Sequence, residues 1–117
     1  MITAEMEVLY NKLHLLKPVG VERSNAKNWI AFQVRTKRGK RNVVTIRREG
    51  VSFFTEDNAL LDKLSALGAP SYKIIPDEGR SKLRYRFRDL KPEIIDTNAD
   101  DFRKLFAESL KLKEFYS

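Results

Sequence analysis

The chain contains no cysteine, which excludes disulfides, thiolate metal sites and cysteine nucleophiles. It has one histidine, one tryptophan and five glycines scattered singly, so neither a histidine-rich metal cluster nor a glycine-rich phosphate loop is written into it. Long apolar runs are missing too. No stretch approaches the ~18 uninterrupted apolar residues of a membrane span. The opening Met1-Ile2-Thr3-Ala4-Glu5 has neither the basic flank nor the apolar run of a signal peptide. The expected location is the cytoplasm, with no membrane partner.

What is present is charge. Lys and Arg number 23 against 16 Asp and Glu, a net +7, and charged residues make up 33% of the 117 positions, above the usual share of about 25%. Hydrophobic residues reach 42%, enough to bury a core and to argue against disorder. Residues 1–117 are expected to form a single α+β domain. Its positive sign suits an acidic partner, either nucleic acid or an acidic protein surface.

Periodicity orders the elements. Met6, Leu9, Tyr10, Leu13 and Leu16 recur at helical spacing, with Thr3 placed to cap and Pro18 to stop, predicting a helix over 3–16. A polar linker through Asn28 follows. Ile30, Phe32 and Val34 then alternate with Ala31, Gln33 and Arg35, which is a strand with one buried face. The basic loop Lys37-Arg38-Gly39-Lys40-Arg41 leads to a second strand over 42–48, and Glu49-Gly50 turns the chain into a third over 51–55. Asp57-Asn58 caps a short helix striped by Leu60, Leu61, Leu64 and Leu67, closed by Gly68 and Pro70. A fourth strand over 72–75, a turn at 76–79 and a fifth strand over 82–90 come next. A connector reaches Asn98, expected to cap a last helix striped by Phe102, Leu105, Phe106 and Leu110. Asp100 and Asp101 in its first turn, and Lys111 and Lys113 in its last, suit the helix dipole. The order α-β-β-β-α-β-β-α implies an antiparallel sheet of about five strands with helices mainly on one face.

The fifth strand carries the pointed feature. Leu83, Tyr85 and Phe87 face one way, and Lys82, Arg84, Arg86 and Arg88 the other. Like charges at that spacing stand about 7 Å apart and repel unless solvent, carboxylates or a bound anion offsets them. A second basic set, Arg35, Lys37, Arg38, Lys40, Arg41, Arg47 and Arg48, lies on and around the loop between the first two strands. If Arg35 and Arg47 point outward, the two sets form one positive surface on which arginine forks meet phosphate. The plain alternative is a solvated sheet face, its cations kept for solubility and against edge pairing, with Glu49, Glu56, Asp57 and Asp89 near enough to neutralise part of it. Trp29 shares the parity of Arg35 and is the one candidate stacking platform; core-edge packing is the commoner use of such a residue.

Other motifs carry less. Pro76-Asp77 with Asp89-Leu90-Lys91 matches the bare string of a PD-(D/E)-x-K nuclease. Asp77 would lie at the turn and Asp89 at the far end of the strand, roughly 26 Å beyond Ser81, too far to share a metal ion. His14 beside Leu13 and Leu15 reads as a helix-surface residue, and Asp100-Asp101 as dipole complement. Ser52, Ser71 and Ser81 lack a nucleophile elbow. The chain therefore reads as a non-enzyme with no catalytic residues, no cofactor and no metal site.

Leu9-Tyr10 on a leading helix, Trp29-Ile30-Ala31-Phe32, and Asn42-Val43-Val44 entering the next strand resemble a small uncharacterised bacterial α+β domain labelled a predicted transport protein. That domain occurs alone or fused to restriction-endonuclease-like modules. The resemblance covers residues 6–55. The second half departs from it, since 80–91 has neither the Gly nor the Trp that the family carries before its final helix. It implies an accessory or DNA-associated context and lends no catalytic residues. The leading expectation is a non-enzymatic nucleic-acid-associated domain. The alternative is a protein-interaction or inhibitor module docking an acidic partner, or a homo-oligomer.

Overall fold

The computed structural model describes residues 1–74 and 83–115. Its elements run α1 (Ala4–His14), β1 (Glu22–Asn25), β2 (Ile30–Thr36), β3 (Gly39–Arg47), β4 (Gly50–Phe54), α2 (Asn58–Ala66), β5 (Ser71–Lys73), β6 (Arg84–Phe87), α3 (Pro92–Thr97) and α4 (Ala99–Phe115). The six strands form one antiparallel sheet in the order β1-β2-β3-β4-β6-β5. The α+β class, the antiparallel sheet and the helical face follow the sequence pattern.

The differences have local causes. Residues 22–25, expected as linker, are an edge strand: they pair with β2 through the backbone, and Arg23 is bound by Glu7 of α1. No apolar alternation is needed for that. The connector before Asn98 contains α3, opened by Pro92 at its first position, where a missing N–H costs nothing. Asn98 does not cap α4 with its side chain; its amide donates to the Ile94 carbonyl at 3.0 Å and closes α3. The strand expected to reach Leu90 stops at Phe87, and Asp89 lies in the left-handed region with φ 54°. The expected turn at 76–79, Lys82 and the Pro76-Asp77 half of the nuclease string lie outside the described residues.

One face of the sheet is the core. Phe32, Phe53, Phe87, Phe102 and Phe106 are fully buried, with Phe32 edge-on to Phe106 at 4.9 Å and Phe53 edge-on to Phe87 at 5.8 Å. Such edge-to-face pairs add to the area they bury. Leu13 of α1, Leu64 of α2, Ile95 of α3 and Leu105 of α4 join the same cluster. Thr3 caps α1, accepting from the Met6 N–H at 3.2 Å, and Asp57 caps α2, accepting from the Leu60 N–H at 2.9 Å.

The sheet is irregular at one place that matters. β2 and β3 shift register between Phe32↔Val44 and Gln33↔Asn42, leaving Val43 unpaired across that ladder, a bulge that bends the strand. On its other side β3 pairs with β4 only from Thr45↔Ser52 to Arg47↔Gly50. Past Thr45 the two strands part. Ser109 of α4 closes the gap: its hydroxyl donates to the Val43 carbonyl at 2.6 Å and accepts from the Phe54 N–H at 2.9 Å. Thr55 donates to the Glu108 carboxylate beside it. The C-terminal turns of α4 are thereby seated between β3 and β4.

Candidate phosphate-binding face

Residues paired across a ladder project on the same side of a sheet. Phe54↔Arg84 and Ser52↔Arg86, with Thr45↔Ser52, place Arg84 and Arg86 on the face opposite the phenylalanine core. Alternation from Thr45 adds Arg47. Arg88 follows β6 but stays on this side, its guanidinium 4.8 Å from the ring centroid of Tyr72, the cross-strand neighbour of Arg86. Four expected site residues, Arg47, Arg84, Arg86 and Arg88, are thus brought together from two non-adjacent segments.

The hairpin set is placed differently. Arg35 pairs with Lys40, and by alternation from Ala31 both project on this face; both are exposed. Arg41 pairs with Val34, which packs against the core, so Arg41 projects on the helix side. Lys37 and Arg38 form the exposed turn between β2 and β3. Lys40 and Arg47 lie seven residue steps apart on β3, at most roughly 23 Å. The hairpin tip is a separate basic patch on the same side of the sheet, and the structure does not bring it against the four arginines. Lys82 lies outside the described residues.

Aromatic rings hold the guanidinium groups. Arg47 lies 4.0 Å from the centroid of Trp29, so the sole tryptophan stacks on this face, although it also stays half-buried. Arg86 donates to the Tyr72 hydroxyl at 3.3 Å. Burial pushes the Tyr72 phenol up, but hydrogen bonds from Arg86 and then Arg88, with their charges, outweigh it and hold the phenol below its ordinary value. Each stack fixes a rotamer-rich cation before any ligand arrives.

Among the described residues the ion pairs are Lys12–Asp96, Arg23–Glu7, Lys63–Asp101 and Arg103–Asp100, and none includes these four arginines. The Nε atoms of Arg47 and Arg86 are buried with no hydrogen-bond partner among the described residues, an arrangement native proteins seldom leave unfilled. Burial pushes the Arg84 guanidinium below its ordinary value, and the charges of Arg86 and Arg47 push the same way. Glu49, Glu56, Asp57 and Asp89, expected to neutralise part of the patch, are exposed and join no described ion pair with it.

A cavity of about 140 Å³ opens among these groups, lined by Asn42, Thr45, Arg47, Ser52, Arg84 and Lys113 together with Val43 and Phe54. Thr45 and Ser52 are buried and hydrogen-bonded to each other. Lys113 reaches the rim from the last turn of α4, its Nζ 4.4 Å from the Phe54 ring. Burial pushes the Lys113 ammonium below its ordinary value, with Arg84 and Arg41 adding to the effect. Thr45, Ser52, Tyr72, Phe54 and Lys113 are components that strand-parity reasoning missed. Lys113 was visible only as a dipole-compensating residue, and no local pattern tied it to a strand more than 50 positions earlier.

Among the described residues no group of three or more His, Cys, Asp or Glu could hold a metal ion, and no helix is long and apolar enough to cross a membrane. No family model, curated protein or solved structure matches this chain.

Proposed function

We propose that this protein is a non-catalytic nucleic-acid-binding domain that contacts phosphates through the outer face of its sheet. The observation that carries the reading is the convergence of Arg47, Arg84, Arg86 and Arg88 with no carboxylate paired to them among the described residues. Clustering cations in this way costs stability through desolvation and repulsion. Phosphate oxygens would supply the missing acceptors, and guanidinium forks bind them with two parallel hydrogen bonds. The exposed hairpin cations Arg35, Lys37, Arg38 and Lys40 extend the footprint along the same side. At 3.4 Å per step of one strand, a separation of up to roughly 23 Å corresponds to about seven nucleotides. Trp29 and Tyr72 are already engaged by arginines, which favours backbone contact over base readout.

Anisotropy of a labelled oligonucleotide tests this. Affinity should fall steeply with salt, with a log–log slope near −3 if four phosphates of a single strand are neutralised, at roughly −0.7 each. Replacing Arg84 and Arg86 together with Ser should flatten that slope. Affinity independent of salt, or no binding at low salt, overturns the reading. In that case capture of one acidic protein would assign the face to a protein partner.

A further inference from the structure

The cavity beside Arg84 is a different kind of feature from the arginine face around it. A face serves any polyanion that lies along it, whereas this cavity has walls. It is lined by β3 at and beside its bulge, by β4 and β6, and by the last turn of α4. Its 140 Å³ is well under the roughly 300 Å³ at which pockets for drug-sized ligands begin. A small oxyanion fits such a volume.

Six of the eight lining residues carry hydrogen-bond donors on their side chains. Arg47 and Arg84 present guanidinium groups, and the Arg47 Nε is buried without a partner among the described residues. Asn42 adds an amide, which is also bonded by Gln33 at 2.8 Å. Thr45 and Ser52 form one hydrogen bond between their hydroxyls, which uses one of their two hydroxyl hydrogens and leaves the other for a ligand. Among the described residues no Asp or Glu lines the cavity. Thr45 and Ser52 are among only five buried polar or charged residues in the described chain, and buried hydroxyls at the bottom of a cationic recess are well placed to meet an oxygen.

We propose that this cavity is a built site for one phosphate monoester, held by the Arg47 and Arg84 forks and by the free hydroxyl hydrogen of the Thr45–Ser52 pair. The proposal rests on the phosphate-binding reading of the surrounding face and adds a specificity to it: a terminal phosphate rather than a diester passing through. A monoester carries about −1.5 to −2 charge at neutral pH and offers three acceptor oxygens, whereas a diester carries one charge and must leave the site on two sides. A walled recess with several cations matches the former. The same chemistry is presented by the 5′ end of a nucleic acid and by free phosphate, and the two sources are separable.

Trp29 makes the test direct. It is the only tryptophan of the chain, and its ring carries the guanidinium of Arg47, which lines the cavity. Titrating the intact protein with inorganic phosphate, against chloride at matched ionic strength, should give a saturable change in tryptophan fluorescence and a rise in melting temperature. A 5′-phosphorylated single strand should bind about tenfold tighter than the same strand with a 5′-hydroxyl, as charge-assisted pairs allow. Arg84→Lys keeps the charge and loses the fork, and should reduce that preference to about threefold or less. Ser52→Ala should act in the same direction and serves if Arg84→Lys alters melting. If phosphate acts like chloride and the end group changes nothing, the cavity site is overturned, and binding of both strands would leave the nucleic-acid reading standing. If phosphate binds saturably and neither strand binds, the nucleic-acid reading is overturned and the cavity is a site for free phosphate or a small phosphomonoester.

Discussion

The hydroxyl of Ser109 donates to the carbonyl of Val43 at 2.6 Å, joining residues 66 positions apart in the chain. The same oxygen accepts from Phe54 N–H, so one side chain satisfies a backbone acceptor on β3 and a backbone donor on β4 where their ladder has ended. Ser109 is fully buried.

Ser109→Ala should therefore be costly out of proportion to one oxygen atom. It strands a buried carbonyl and a partly buried N–H at once, at up to about 1–3 kcal/mol each. A loss of about 2–4 kcal/mol is expected, read in a denaturant titration, with a melting temperature lower by roughly 10 °C. A variant melting within about 2 °C of the parent would show that the two strands do not depend on the bridge.

Gly50→Ala should be worse. Gly50 has φ +138°, and a Cβ there would meet the Phe87 carbonyl oxygen at 2.1 Å and its carbon at 3.0 Å. The obstacle is backbone of the neighbouring strand, so no side chain can move aside. A destabilisation of more than about 3 kcal/mol should appear as loss of soluble protein or of a cooperative melt. A well-folded Gly50→Ala protein would mean that β4 and β6 are not paired at Val51↔Phe87.

Arg84→Met should move stability and binding in opposite directions. Burial and the charges of Arg86 and Arg47 all disfavour the Arg84 cation, and Met retains much of the packing of the stem. Stability should be unchanged or higher by up to about 1 kcal/mol, while oligonucleotide affinity falls. This opposition is the signature of a residue kept for a ligand. Parallel loss of stability and binding would mark Arg84 as a structural residue.

The Glu7–Arg23 pair should produce an acid-side dependence. The hydrogen bond from Arg23 holds the Glu7 carboxyl below its ordinary value; burial opposes this and the Arg23 charge supports it. A carboxyl depressed in the folded state contributes stability above the ordinary glutamate value of about 4.3, and that contribution is lost as pH falls through the depressed value. Both partners are substantially exposed, so the contribution is at most about 1 kcal/mol. Glu7→Gln should melt slightly below the parent at neutral pH, and the gap should close under acid. A gap that persists unchanged at about pH 2 would show that Glu7 acts through packing of α1 on β1 and not through charge.

Much of this protein follows from its residue order alone. The 3.6-residue stripes of α1, α2 and α4 and the two-residue alternation of β2 and β6 specify which side chains enter the core, because burial of one face is the dominant driving force. The same alternation placed Arg84, Arg86 and Arg88 on the opposite side from Tyr85 and Phe87. β1 escaped notice because Glu22–Asn25 is held by backbone pairing and one ion pair, which leave no apolar period. Tertiary structure alone decided the rest. That Arg47 stands with the β6 arginines while Arg41 turns to the helix side depends on strand order, register and a bulge at Val43, none of which is encoded within a local window. That Thr45, Ser52, Arg84 and Lys113 line one cavity depends on α4 filling the gap where β3 leaves β4. Local periodicity reports which face of an element is apolar; which charges meet across elements is set only when those faces are buried against one another.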